Sequence, residues 1–150
     1  MKTSAKRRAN AKSPLPFAEA ELVRLLVNFL SGDGYKVRLE VPNMGQSADI
    51  VATRNRWLTF VEAKIGDWRR AMGQCRAHEI VADFVCIAFP TRTIPEELHE
   101  ELLRFGYGAI LCDIARRRCR WLRKPLRNKK VWTPQRKRLV ALMRSIQHES

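Results

Sequence analysis

SADIVATRNRWLTFVEAKIG, residues 47–66, reads as two β-strands and the turn between them. Ser47 to Thr53 forms one strand and Trp57 to Ile65 the next, with a tight turn at Arg54-Asn55-Arg56. Side chains alternate across a strand, so Trp57, Thr59, Val61, Ala63 and Ile65 share one face. Leu58, Phe60, Glu62 and Lys64 share the other. Both faces are mostly apolar, which places this strand inside a sheet. A carboxylate and an ammonium there are costly unless they pair or bind a metal. If Asn55-Arg56 is a two-residue turn, the ladder runs back from Arg54 opposite Trp57 to Asp49 opposite Glu62. Directly opposed residues bring their Cβ atoms to roughly 4.5–5.5 Å on one face. Two carboxylates then converge, with Lys64 beside them.

Working outward, Tyr35 to Val41 alternates Val37, Leu39 and Val41 against Lys36, Arg38 and Glu40, a half-buried strand before a loop at Pro42-Asn43-Met44-Gly45. Ahead of it a helix runs from about Phe17 to Leu30, with Leu22, Leu25, Leu26, Phe29 and Leu30 at helical spacing and Ser31-Gly32-Asp33-Gly34 as its stop. Residues 1–14 are basic and poor in apolar groups, the composition of a disordered arm. Downstream, Asp67 to about Ala82 reads as a helix with Trp68, Ala71, Met72, Cys75 and Ile80 inward. Phe84 to Phe89 is a continuous apolar run, as in a strand covered on both faces. Thr93 is placed to cap a helix that has Pro95 and two acids in its first turn and ends near Gly106. Gly108 to Ile114 is a strand, Ala115-Arg116-Arg117 a turn, and Cys119 to Leu122 a short strand. Thr133 opens a last helix with Leu139, Val140, Leu142, Met143 and Ile146 on its apolar side.

The order α-β-β-β-α-β-α-β-β-α implies an α/β fold, a mixed central sheet with helices on its faces. The expected organisation is an arm at 1–14, one domain at 15–125, and a basic C-terminal helix at 126–150 that packs on or extends it.

The formal net charge is +14, and it is concentrated at the ends. Residues 1–18 carry five Lys/Arg and no acid, and residues 115–138 carry twelve and no acid. Between them, residues 19–114 hold eleven basic and fourteen acidic groups, so the middle is mildly acidic at −3. Basic ends neutralise phosphates and release counterions, which points to nucleic acid as the partner. The competing reading, affinity for acidic lipid or a solubilising surface, is weakened by Trp121, Leu122, Leu126 and Trp132 interleaved with the charges. No apolar run approaches the ~20 residues of a membrane span, and the basic N-terminus lacks the apolar core of a secretory signal. No membrane association is expected, and the cytoplasm is the default compartment. Cys75, Cys86, Cys112 and Cys119 show no metal-ligand spacing and are expected as buried thiols, without zinc or disulfides.

Opposed carboxylates repel, and burial adds to the cost. A divalent cation relieves both. Oxygen ligands suit Mg²⁺ or Mn²⁺, which can polarise a phosphodiester and acidify a bound water. Lys64 could orient that water or stabilise developing charge. The alternative is an Asp–Lys–Glu ion network that only supports structure.

These residues resemble the PD-(D/E)XK nuclease superfamily, the restriction-endonuclease-like fold. The likeness covers roughly Glu21 to Phe89: a helix, an antiparallel meander with the Asp on its second strand and (D/E)-x-K on its third, then a helix and a strand. Ala48-Asp49 and Glu62-Ala63-Lys64 match those positions, with Ala48 where the motif's name has proline. The resemblance implies that Asp49, Glu62 and the Ala63 carbonyl ligate Mg²⁺ or Mn²⁺ and that Lys64 acts on the water. It also implies metal binding through water by Glu21, and a place for Gln74 near metal and DNA, with His78 one turn on where some relatives carry Tyr. Arg69 and Arg70, after the catalytic strand, are candidate phosphate contacts, as are Arg116, Arg117, Arg118, Arg120, Lys129 and Lys130 in the basic segment.

The expectation is a metal-dependent DNA endonuclease, largely indifferent to sequence. One alternative is a nuclease for branched DNA, similar to Holliday-junction resolvases, which work as homodimers. Another is a non-catalytic nucleic-acid-binding module of the same fold.

Overall fold

The computed structural model describes the backbone of residues 17–149 except 44, 45, 65, 130 and 132, and leaves the side chains of 17, 18, 40–49 and 146–149 undescribed. The basic arm, the side chain of Asp49, Lys130 and the side chain of Ile146 lie outside the described residues.

The elements follow the expected order. They are α1 (Phe17–Gly32), β1 (Lys36–Asn43), β2 (Gln46–Arg54), β3 (Trp57–Ala63), α2 (Trp68–His78), β4 (Phe84–Phe89), α3 (Glu96–Phe105), β5 (Gly108–Asp113), β6 (Arg118–Arg123) and α4 (Thr133–Glu149). The six strands form one sheet in the order β1-β2-β3-β4-β5-β6. β1, β2 and β3 pair antiparallel, β3, β4 and β5 parallel, and β6 antiparallel to β5. The fold is therefore a mixed α/β sheet flanked by helices.

Alternation divides the core in two. Val51, Phe60, Ile87 and Leu111 pack against Ala71, Met72 and Cys75 of α2, Leu98 and Leu102 of α3, and Leu139 and Met143 of α4. Ile50, Val61, Ala88 and Ile110 pack on the other face against Leu22, Leu25, Leu26 and Leu30 of α1. Strands β3, β4 and β5 are covered on both sides, which is why their sequences are nearly continuous apolar runs.

The β2–β3 turn is the two-residue one, with Asn55 at φ 59° and Arg54 opposite Trp57. Asparagine is among the few non-glycine residues that tolerate this left-handed conformation. The ladder continues through Ile50 opposite Val61.

Several local expectations are corrected. β1 runs on to Asn43, with Pro42 opposite Ser47, so the loop after it is shorter than expected. α2 ends at His78 rather than near Ala82. α3 is preceded by Pro95 as its N-cap, not Thr93; Pro95 is extended (ψ 151°) and cannot cap through a side chain. Leu142 is 39% exposed, so the buried stripe of α4 is narrower and rests on Leu139 and Met143. Cys112 and Cys119 face each other across the β5–β6 ladder and form a disulfide, against the expectation of none. Cys75 and Cys86 are buried and take part in no disulfide. Burial pushes the Cys86 thiol up, far from ionisation.

Candidate functional site

Glu62 is the last residue but one of β3 and is 3% exposed. It lies on the α2 face with Phe60, as alternation requires. α2 starts soon after β3 because Gly66 (φ 93°) reverses the chain and Asp67 caps the helix, accepting from the amide of Arg70 at 3.3 Å. One helical turn separates Gln74 and His78, so both fall on one side of α2. His78 is 1% exposed, and its ring lies 4.9 Å from that of Phe60.

His78 Nε2 stands 3.5 Å from Glu62 Oε1. That exceeds the ~3.2 Å limit of a normal hydrogen bond. Glu62 Oε1 and Gln74 Oε1 are both buried with no hydrogen-bond partner among the described residues. Buried polar atoms are nearly always satisfied, so two acceptors left open here mark an unusual place.

Asp49 lies on β2, and continuing the ladder one step beyond Ile50–Val61 sets its backbone across from Glu62. Lys64 follows β3 and is half-buried; its amide donates to the Ala88 carbonyl at 2.9 Å, which fixes the chain where β3 leaves the sheet. Among the described residues no carboxylate pairs with Lys64 and no three His, Cys, Asp or Glu side chains form a metal-ligand group. The Asp49 side chain is not among them.

Glu21 is placed differently from expectation. It is buried, but its carboxylate receives Arg24, one helical turn away, and lies 3.8 Å from Arg117 of the β5–β6 turn. Its helix covers the sheet face opposite Glu62. No described contact joins it to the Glu62 cluster.

The arginines divide as well. Arg69 is held by Glu97 of α3 at 2.9 Å and lies over the Trp68 ring, while Arg70 is exposed. Arg116 pairs with Asp113 at 3.6 Å. Arg118 and Arg120 stand opposite Asp113 and Leu111 in β6, on the same sheet face as Glu62. With Thr91, Arg92, Thr93 and Arg116 they line a groove of about 820 Å³. Arg120 donates to the Arg92 carbonyl at 3.1 Å, which ties the β4–α3 loop to the edge strand. β6 lies three strand spacings from β3, or about 14 Å. Lys129 is exposed, outside this groove. Of the four arginines in the groove, only Arg92 had no signal in the sequence, where it is a single arginine in a loop.

No family model matches the chain, and no curated protein matches it. Among solved structures the fold is similar to a protein of unknown function from Silicibacter pomeroyi, at 19% identity and TM-score 0.62, over 85% of each chain. It is also similar to an XisH family protein from Nostoc punctiforme (14% identity, TM-score 0.52, 67% of this chain and 98% of that one). A third is an fdxN element excision controlling factor protein from Anabaena variabilis (16% identity, TM-score 0.51, 69% and 98%). At these identities the likeness is one of fold.

Among the described residues no helix is long and apolar enough to cross a membrane.

Proposed function

We propose that the protein is a metal-dependent DNA endonuclease of the PD-(D/E)XK type, with Asp49, Glu62 and Lys64 at its centre. The observation that carries this reading is Glu62: a carboxylate 3% exposed, with one oxygen lacking any described hydrogen bond, at the end of a central strand. A structural carboxylate at such a position would normally be satisfied. Oxygen donors of this kind fit a hard cation. Asp49, Glu62 and the Ala63 carbonyl would hold Mg²⁺ or Mn²⁺. The ion would supply Lewis acidity toward a phosphodiester and an acidified water.

The chain's own residues do the rest. Lys64, half-buried and without a described carboxylate partner, supplies positive charge where negative charge develops on the phosphate. His78 and Phe60 wall the Glu62 carboxylate on the α2 side and limit its movement. The arginine groove at β6, on the same sheet face, binds the substrate backbone about four nucleotides from the reaction. Glu21, tied to Arg24 and Arg117, steadies the β5–β6 turn that carries those arginines.

Incubation of the full chain with supercoiled plasmid and Mg²⁺ or Mn²⁺ tests the reading. Nicked and linear products are expected. Glu62→Gln and Lys64→Ala should each lower the rate by about 10²-fold or more, the usual cost of a group acting on transition-state charge. Cleavage that survives both substitutions overturns the proposal. Four-way junctions run beside linear duplex separate a branched-DNA enzyme from a general one.

A second reading, a non-catalytic module acting on nucleic acid, has one observation in its favour. One of the structural neighbours is described as an excision controlling factor, a name for control rather than cleavage.

A further inference from the structure

A second basic groove, of about 420 Å³, lies at the other end of β3, between α4 and the β1–β2 edge. Lys36, Arg38, Arg54, Arg56, Arg136 and Arg144 line it, and no acid does. Two of these are committed to carboxylates: Arg54 to Asp33 and Arg136 to the buried Asp83. Lys36, Arg38, Arg56 and Arg144 have no carboxylate partner among the described residues. Val140 and Met143 of α4 and Leu58 form its floor.

The surface continues around the hairpin tip. An adjoining pocket shares Arg54 and Asn55 and adds Tyr35, Trp57 and Lys124. Arg54 lies 4.4 Å from the Tyr35 ring centre, and Arg127 4.4 Å from that of Trp57. These contacts hold two guanidinium groups beside half-exposed rings, and arginines and aromatic rings together line many single-strand nucleic-acid surfaces.

We infer that this groove is a second phosphate-backbone site, which holds DNA at a distance from the Glu62 cluster. The inference rests on the proposed nuclease reading for the identity of the strand, but not for the presence of the site. Lys36 and Arg38 are two residues apart on an edge strand, hence about 6.8 Å, which equals two nucleotides of axial rise. Trp57 and Glu62 sit at opposite ends of β3, so the groove lies about 17 Å from the carboxylate, or about five nucleotides along a duplex. A polyanion with regularly spaced charges matches this row of cations. An acidic polypeptide is the competing ligand.

The test is binding of a 5′-labelled duplex of about 20 base pairs to the full chain in EDTA, across a range of salt. Arg38→Glu with Arg144→Glu changes the groove. Arg76→Glu with Arg104→Glu makes the same change in net charge on α2 and α3, away from it. The groove variant should bind at least tenfold more weakly, and the slope of log affinity against log salt should fall by about two, one per lost phosphate contact. The control variant should stay within about threefold of the parent. Equal losses in both variants, an unchanged slope in the groove variant, or displacement of duplex by polyglutamate at equal charge concentration overturns the inference. No metal is present and nothing is cleaved, so a protein that fails to cut plasmid still returns a clear answer here.

Discussion

Replacing Glu62 by methionine should make the protein more stable while it abolishes metal binding and cleavage. The reasoning begins with burial. Glu62 is 3% exposed, its Oε1 has no described hydrogen-bond partner, and the nearest cationic candidate, His78 Nε2, is 3.5 Å away. A buried acceptor left unsatisfied costs about 1–3 kcal/mol, and more if it is charged. Methionine is unbranched, nearly isosteric and apolar, so it fills the same space against Phe60 without that cost. A gain of about 2 kcal/mol is expected, which for a 150-residue chain raises Tm by about 4–8 °C. The assay is thermal unfolding at pH 8 with EDTA. Bound metal would otherwise stabilise the parent selectively. A fall in Tm of 3 °C or more would refute the reasoning. It would mean that Glu62 is a net stabilising partner of His78 and belongs to a structural ion network.

Asp83 is 4% exposed and accepts both the Leu58 amide at 2.8 Å and Arg136 at 2.9 Å, so Asp83→Ala should cost about 3 kcal/mol and loosen α4, read by urea unfolding. Gly108→Ala should be destabilising by about 2–3 kcal/mol, because a Cβ there meets Pro125 Cδ at 2.7 Å, its nitrogen at 2.8 Å and Cys86 Sγ at 3.0 Å; a well-behaved alanine variant would contradict that packing. Burial, reinforced by a hydrogen bond to Glu79, raises the Tyr107 phenol well above its ordinary range. A raised folded value gives stability that is complete below about pH 10 and is lost as pH climbs above it. Tyr107→Phe should therefore flatten the alkaline limb of the stability curve measured by denaturant titration between pH 9 and 11, and an unchanged limb would assign it to another group.

The parts of the fold governed by local alternation were legible. Asn55-Arg56 as a two-residue turn settled the β2–β3 register, which runs from Arg54 opposite Trp57 to Ile50 opposite Val61. The apolar run Phe84–Phe89 correctly announced a strand covered on both faces. What depends on tertiary packing was not legible. Helical spacing shows that Leu22, Leu25 and Leu26 share a face, but not which side of the sheet they cover, and so Glu21 was expected at a cluster on the opposite side. The Cys112–Cys119 pair had a usable signal: two strands flanking a turn at 115–117 bring these residues face to face. Cysteine spacing alone does not show it, because the pairing comes from the strands. The groove beside α4 draws its cations from β1, the hairpin tip and the last helix, and no window of sequence holds them together.

The central claim is that two acids on neighbouring strands jointly hold one divalent cation. Titration calorimetry of the full chain with Mn²⁺ tests it most directly. The account predicts one site per chain in the parent, lost in both Asp49→Asn and Glu62→Gln and retained in Lys64→Ala. A parent that takes up no Mn²⁺, or a site that persists unchanged in either carboxylate variant, would contradict it.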